Sequence, residues 1–502
     1  MLELKQKIGL ILGPFLAVII LIVFDLQPGQ PVVTRTAAVA VLMAVWWITE
    51  AIPIPATALI PMALFPLLGV MKGKAVAGLY YNHIIFLFIG GFIMALAMQK
   101  WNLHRRIALK IILLLGTSPR RIILGFMAAT AFLSMWISNT ATTMMMVPIA
   151  MAIVGKMKET YGGESMGRFP VGLFLGIAYG ASIGGTATLI GTPPNMAFTG
   201  IFEDVFKSGP EISFTTWMMF GLPFAVVFFV IAWLLLTWMF VPHGRRLTAD
   251  RSVFLDEYRR LGRMSYEETV VLVMFALMSL LWLLRQDIAI GSFTIPGWSN
   301  VMPVPDFIDD GVVAMMMALL LFIIPSKSKS SPRLMDWATA VKLHWGIVIL
   351  FGGGFALAGG FEQSGLSVWM GEQLHVFRAL PTLLIVMIVC LMLTFLTELT
   401  SNTATTQLVL PVLGSLAVAI EVNPLLLMIP ATLSASCAFM LPVATPPNAI
   451  VFGSGEVRMR DMIRTGLILN FTGVVVITLL MYLIGIHVFD IDLSAFPSWA
   501  VR

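Results

Sequence analysis

Ser138-Asn139-Thr140-Ala141-Thr142-Thr143, closing on Pro148, returns as Ser401-Asn402-Thr403-Ala404-Thr405-Thr406, closing on Pro411. Every matched position lies 263 residues from its partner. Each copy is polar and sits inside a long apolar run, where polar groups are costly and mark function. Small residues and threonines also act as packing glue between membrane helices. Packing alone, however, does not require six identical residues with the same trailing proline.

The surrounding composition fixes the class. Of 502 residues, 59% are hydrophobic and 11% charged, with a mean hydropathy of +0.94. Soluble proteins carry about 25% charged residues, so the chain reads as an all-α polytopic membrane protein. Its formal charge of +5 is no signature of nucleic-acid binding; what informs is where the basic residues fall. Two cysteines, Cys390 and Cys437, exclude a disulfide framework and make no metal site. The apolar run from Ile8 to Leu26 lacks a small-residue cleavage site and reads as a retained first helix.

A spanning helix needs about 20 mainly apolar residues. Eleven spans are predicted, near 8–26, 33–49, 54–70, 82–99, 169–205 (broken), 214–241, 267–285, 307–325, 345–361, 424–456 (broken) and 464–488. Two further stretches, 121–155 and 380–420, carry the repeated phrase at mid-length. Arms of about 15 residues give about 23 Å of helix against about 30 Å of hydrocarbon. Both stretches are therefore read as re-entrant helical hairpins, with tilted full crossings as the alternative. On this count 24 of the 31 Lys and Arg fall on one face. Arg35, Lys72, Lys74, Lys207, Arg285, Arg378 and Arg502 remain on the other. The asymmetry predicts an inner-membrane protein with a cytoplasmic N-terminus and an external C-terminus.

The repeat extends beyond its tips. Phe88-Ile89-Gly90-Gly91-Phe92 matches Phe351-Gly352-Gly353-Gly354-Phe355, and Thr192-Pro193-Pro194-Asn195 matches Thr445-Pro446-Pro447-Asn448. Five crossings separate the hairpins, so the two enter from opposite sides. Such an inverted-topology repeat is a hallmark of secondary transporters. The chain divides accordingly into 1–120 and 242–379, scaffold helices with a cytoplasmic loop, and 121–241 and 380–502, each a hairpin, broken helix and closing helix. Trp101 to Thr117 is basic and apolar by turns and reads as an interfacial helix. Gln363 to Phe377 takes the corresponding place outside, and Pro242 to Glu268 reads as a solvated loop.

Pro-Pro inside a span breaks the helix, and broken backbone at membrane depth is tolerated where it is buried or lines a cavity. A break exposes N–H groups suited to a carboxylate and carbonyls suited to a cation. Neither tip contains Lys or Arg, which favours cation coupling over an arginine-held anion. Ser134 and Thr397 stand one turn before the tips at the 263-residue offset. Each either completes an oxygen cage for a hard cation such as sodium or bonds back to its own helix.

These tips and breaks, with Ala435-Ser436, Phe439, Pro442-Val443-Ala444, Asn448 and Ile450-Val451, resemble the divalent anion/sodium symporter family, which includes sodium-coupled dicarboxylate transporters. The resemblance covers nearly the whole chain. It implies a homodimer in the bilayer, with a fixed scaffold and a transport unit that moves as an elevator. It implies a dicarboxylate held by Asn139, Thr140, Asn402 and Thr403, near Thr192, Pro193, Thr445 and Pro446. It further implies one sodium site at Ser134, Ser138, Asn139 and the Gly191 carbonyl. The other would use Thr397, Thr400, Asn402 and the Ala444 carbonyl. The function so implied is sodium-coupled import of C4-dicarboxylates such as succinate, fumarate and malate, not an enzymatic activity. The alternative is a sodium-independent exchanger of the same family. An intramembrane hydrolase would need a nucleophile with its base or a metal dyad, and neither pattern is present. A sensor would carry a signalling domain. Glu398 is expected to brace its hairpin by pairing with nearby donors, Glu50 to be structural at a helix end, and the six His to sit at interfaces and not as ligands.

Overall fold

The computed structural model describes residues 3–161, 163–241, 251–290, 293–329 and 331–501. Three basic residues counted above, Arg245, Arg246 and Arg502, lie outside the described residues, as does the start of the loop from Pro242. Among the described residues eight helices are long and apolar enough to cross a membrane. The count becomes nine if Leu366–Ala379 and Thr382–Leu396, bent by 117°, form one span. The protein is thus a multi-pass membrane protein.

Seven of the eleven expected spans are among those eight. The other four are the shorter apolar helices Ile54–Leu67, Phe169–Gly185, Asp310–Ile323 and Leu425–Ala435. Two of these are the leading halves of the broken spans. In the stretch expected as one helix over 54–70, the helix comes in two pieces, Ile54–Thr57 and Ile60–Leu67. Pro53, Pro55, Pro61 and Pro66 remove backbone donors along it. The eighth long helix corrects the expectation of two equally short hairpin arms. The first hairpin pairs Pro119–Ser134 with Asn139–Tyr161, and the latter's 23 residues reach about 35 Å. Lys156, Lys158 and Glu159 end the apolar run but are good helix formers, so the helix outlasts it. The second hairpin, Thr382–Leu396 with Asn402–Ala419, stays shorter. A two-stranded ribbon, Ile288–Ile290 against Phe293–Ile295, departs from the all-helical expectation.

Glycines decide how closely the helices approach. Gly90 and Gly353, equivalent in the two halves, each meet foreign backbone. A Cβ on Gly90 would come within 2.5 Å of the Ala314 carbonyl carbon, and one on Gly353 within 2.4 Å of the Ala58 carbonyl oxygen. In Phe169–Gly185 a further row, Gly172, Gly176, Gly180 and Gly184, recurs every four residues and faces the first hairpin. A Cβ on Gly184 would lie 2.3 Å from the Ala131 carbonyl oxygen. Small residues at this spacing let two helix backbones touch. This row fixes the first hairpin against its broken helix.

On the basic side, the helix Leu103–Leu115 buries Leu103, Leu109 and Ile112. Arg106, at 7% exposure, pairs with Glu268 through two nitrogens and also donates to the carbonyls of Leu261 and Gly262. Nearby, Lys100 donates to Asp336 at 2.6 Å, and this hydrogen bond holds the Asp336 carboxyl down at about 2. A depressed carboxylate stabilises the fold above its unfolded pKa of about 3.9 and stops doing so as pH falls through the folded value. Asp336 is partly exposed, so the contribution is modest. In detergent, the thermal midpoint of the unaltered chain should fall more steeply than that of Asp336→Asn between pH 4 and pH 2. Parallel curves would show that the pair contributes nothing.

Candidate functional site

The two tips share the same capping hydrogen bonds. The hydroxyl of Ser138 accepts from the Ala141 amide at 3.3 Å, and that of Ser401 from the Ala404 amide at 3.4 Å. The carbonyls of these serines receive the amides of Thr142 and Thr405. Thr143 and Thr406 donate back to the carbonyls of Asn139 and Asn402 at 2.8 and 2.7 Å. Each serine therefore caps the arm that follows it and frees the first amides of that helix to face outward.

The breaks are equally matched. Phe169–Gly185 gives way to a turn before Pro193–Val205, and Leu425–Ala435 to one before Pro446–Gly453. Thr192 and Thr445 are the extended residues that open the second halves, each followed by proline at the first helical position. Both turns are laced by the last residue of the motif. The Asn195 amide donates to the carbonyls of Gly185 at 3.3 Å and Thr188 at 2.8 Å. The Asn448 amide donates to those of Ala438 at 3.1 Å and Leu441 at 3.0 Å. These acceptors are equivalent positions, offset by 253. The closing helices add one brace each: Trp217 donates to the Thr186 carbonyl, and Asn470, its equivalent, to Glu398.

Tips and breaks meet in one cavity of about 510 Å³. Its wall contains Ser138 to Thr140, Thr192 to Pro194, Ser401 to Thr403 and Thr445 to Pro447. These are the cap and first two helical residues of four separate helices. Four positive dipole ends thus face one space. Among the described residues no Lys or Arg lines it. Gly191, Thr400 and Ala444 belong to the same wall.

Ser134 and Thr397 lie behind the wall, fully buried. The Asn139 amide faces the Ser134 hydroxyl and the carbonyls of Ala181 and Gly191. With its nitrogen toward them it donates at 3.3 Å to Ala181 and 3.2 Å to Gly191; with its oxygen toward them it accepts from Ser134. The second orientation gathers four oxygens, an arrangement that a cation makes favourable. The backbone around it is tight: a Cβ on Gly185 would lie 2.7 Å from the Asn139 amide oxygen. The second repeat has Ala438 and Ala444 where the first has Gly185 and Gly191. There Thr397 bonds back to the Thr394 carbonyl at 3.2 Å. Thr400 shares its hydroxyl with Leu396 and Thr405, and the Asn402 amide oxygen is buried without a partner among the described residues. Asn402 Oδ1 is thus the oxygen of this group that receives no donor among the described residues.

Glu398 braces its hairpin, as expected. One of its oxygens accepts from the amides of Phe439 and Met440 and from Asn470, the other from the amide of Leu441, all within 2.9 Å. The first repeat makes the same join differently: Thr188 donates to the Met135 carbonyl. Four residues have roles that the sequence reading missed. Asn195 and Asn448 belong to its motif, but nothing there showed that they lace the turns. Glu50 and His344 line the cavity, which neither a structural role for Glu50 nor an interface position for His344 foresees.

The family profile of the sodium:sulfate symporter transmembrane region matches residues 8–491. The chain is 45% identical over 495 residues to the sodium-dependent dicarboxylate transporter SdcS of Staphylococcus saprophyticus, covering 97% of this chain and 93% of that one. It is 44% identical, with the same coverage, to the protein of that name from Staphylococcus aureus strain MRSA252. Among solved structures it resembles the YdaH transporter of Alcanivorax borkumensis, described as having an unusual topology. That match has a TM-score of 0.56 at 13% identity, covering 83% of this chain and 87% of the other, and speaks to the fold alone.

Proposed function

The chain belongs to the sodium:sulfate symporter transmembrane family, and from that premise we propose that it is a sodium-coupled symporter importing C4-dicarboxylates such as succinate, fumarate and malate across the cell's inner membrane. The observation that carries this reading is the convergence of four helix N-termini on a cavity whose wall, among the described residues, contains no Lys or Arg. Each dipole end contributes about 0.3–1 kcal/mol. Removing a carboxylate from water costs several kcal/mol. The four ends together fall short of offsetting two carboxylates, and co-bound cations supply the difference. Sodium at Ser134, Ser138, Asn139 and the Gly191 carbonyl, and at Thr397, Thr400, Asn402 and the Ala444 carbonyl, is the source of that charge. The dianion then bridges Asn139 and Thr140 on one tip and Asn402 and Thr403 on the other, beside Thr192, Pro193, Thr445 and Pro446.

In this reading the hairpins, broken helices and closing helices move together past a scaffold, in each protomer of a homodimer. The cavity's far wall comes from Glu50, Pro55, His344 and Ile347. With a cytoplasmic N-terminus, these lie on the cytoplasmic side of the scaffold, so the conformation is inward-facing. Uptake of labelled succinate into proteoliposomes should fall at least about tenfold when sodium is replaced by choline, the size of one lost charge-assisted contact. Uptake that persists in choline and requires internal substrate would establish the sodium-independent exchanger instead.

A further inference from the structure

Among the described residues the cavity wall holds two ionisable side chains, Glu50 and His344, and neither belongs to a tip or a break. Glu50 ends the helix Pro31–Thr49 in a left-handed conformation, φ +49°, ψ +40°. Asn or Gly occupies that conformation more readily than Glu does. Strained residues of this kind persist where surrounding structure enforces them. Here the enforcement is visible: Trp47 donates to the Ile54 carbonyl across the turn, and the turn runs on into Pro55, packed against Gly346 of the facing helix. The Glu50 carboxylate has no hydrogen bond or ion pair among the described residues. His344, on the same wall, places its ring edge-on to Phe92 with centroids 5.8 Å apart. A lone carboxylate thus faces a chamber whose other walls are arranged for an anion.

Resting on the proposed function of this cavity, we propose that Glu50 is a side-specific release residue. Its charge repels the dianion at the one station where the moving tips stand opposite it, and so favours discharge on that side. At the opposite station the tips have left Glu50 behind, and its charge is spent on solvent. The same carboxylate attracts sodium leaving the cavity, so it disfavours rebinding of the anion without hindering the cation. The consequence is an asymmetry of affinity between the two faces, set by a residue outside the tips.

The test uses the full chain in right-side-out and inside-out membrane vesicles, with labelled succinate as the probe. Glu50→Gln and Glu50→Asn should each lower the half-saturating succinate concentration about three- to fivefold from the cytoplasmic face alone. That is the size of one charge acting on a dianion across roughly 10 Å of hydrated cavity. Asparagine suits the left-handed turn, so it guards against a folding defect. Glu50→Asp keeps the charge and should leave both faces unchanged. A change of equal size on both faces, a change on the external face only, or none on either would overturn the proposal. If the unaltered chain carries no succinate in either vesicle, it is the dicarboxylate reading that fails. The same comparison with sulfate then decides on Glu50.

Discussion

Glu398→Ala should leave a protein that no longer survives extraction intact. The carboxylate receives three consecutive backbone amides, Phe439, Met440 and Leu441, and the side chain of Asn470, in a position 2% exposed. Alanine leaves all four donors without this acceptor, those of Phe439 and Asn470 fully buried and those of Met440 and Leu441 partly so. Each orphaned group costs about 1–3 kcal/mol, so a loss of about 4 kcal/mol or more follows. Folded domains hold only about 5–15 kcal/mol in reserve. Glu398→Gln keeps one acceptor oxygen but turns an amide group toward backbone donors, so it should fall between alanine and the unaltered chain. The measurement is the monodisperse fraction and thermal midpoint in detergent. An alanine variant as stable as its parent would mean that the unwound segment is held by something else. The effect should be confined to the second repeat, because the equivalent position in the first is Met135, which contributes only its carbonyl.

Asn139→Ala and Asn402→Ala should abolish transport while the protein stays folded. The Asn139 side chain neither caps nor closes its helix, since Ser138 caps the arm and Thr143 bonds to the Asn139 backbone carbonyl, which alanine keeps. What alanine removes is the amide that meets Ser134, Ala181 and Gly191, and with it one polar side chain of the cavity wall. A charge-assisted contact is worth about 1.5–3 kcal/mol, or roughly 10- to 100-fold. Loss of an ion ligand and a substrate contact together should bring succinate uptake to background. Asn402→Ala removes an oxygen that has no other partner among the described residues, so its fold should be even less disturbed. Near-normal uptake in either variant would remove that residue from the site.

Some of this was written in the order of the residues. Six identical positions at one offset and a proline pair at matched places announce a membrane protein with two like tips and two like breaks. They do so because each is a local matter. A serine caps whatever helix follows it, two prolines break whatever helix contains them, and apolar length sets what crosses. The glycine row from Gly172 to Gly184 went unread in the sequence, and the structure supplies its partner, the first hairpin. Where the reading slipped, at the 23-residue arm ending in Tyr161 and the broken helix after Ile54, propensity and proline overruled hydropathy.

What only the tertiary structure decided are the meetings between distant segments. Nothing in the order of residues says that Glu398 receives the amides of 439–441, or that Asn195 and Asn448 lace their turns through matched carbonyls. Nor does it say that Glu50 and His344, nearly 300 residues apart, line one cavity with both tips. Backbone amides and carbonyls carry no sequence signature, so a side chain that pairs with them leaves no pattern to read. A cavity belongs to none of the segments that enclose it, because its shape depends on how far apart packing holds them.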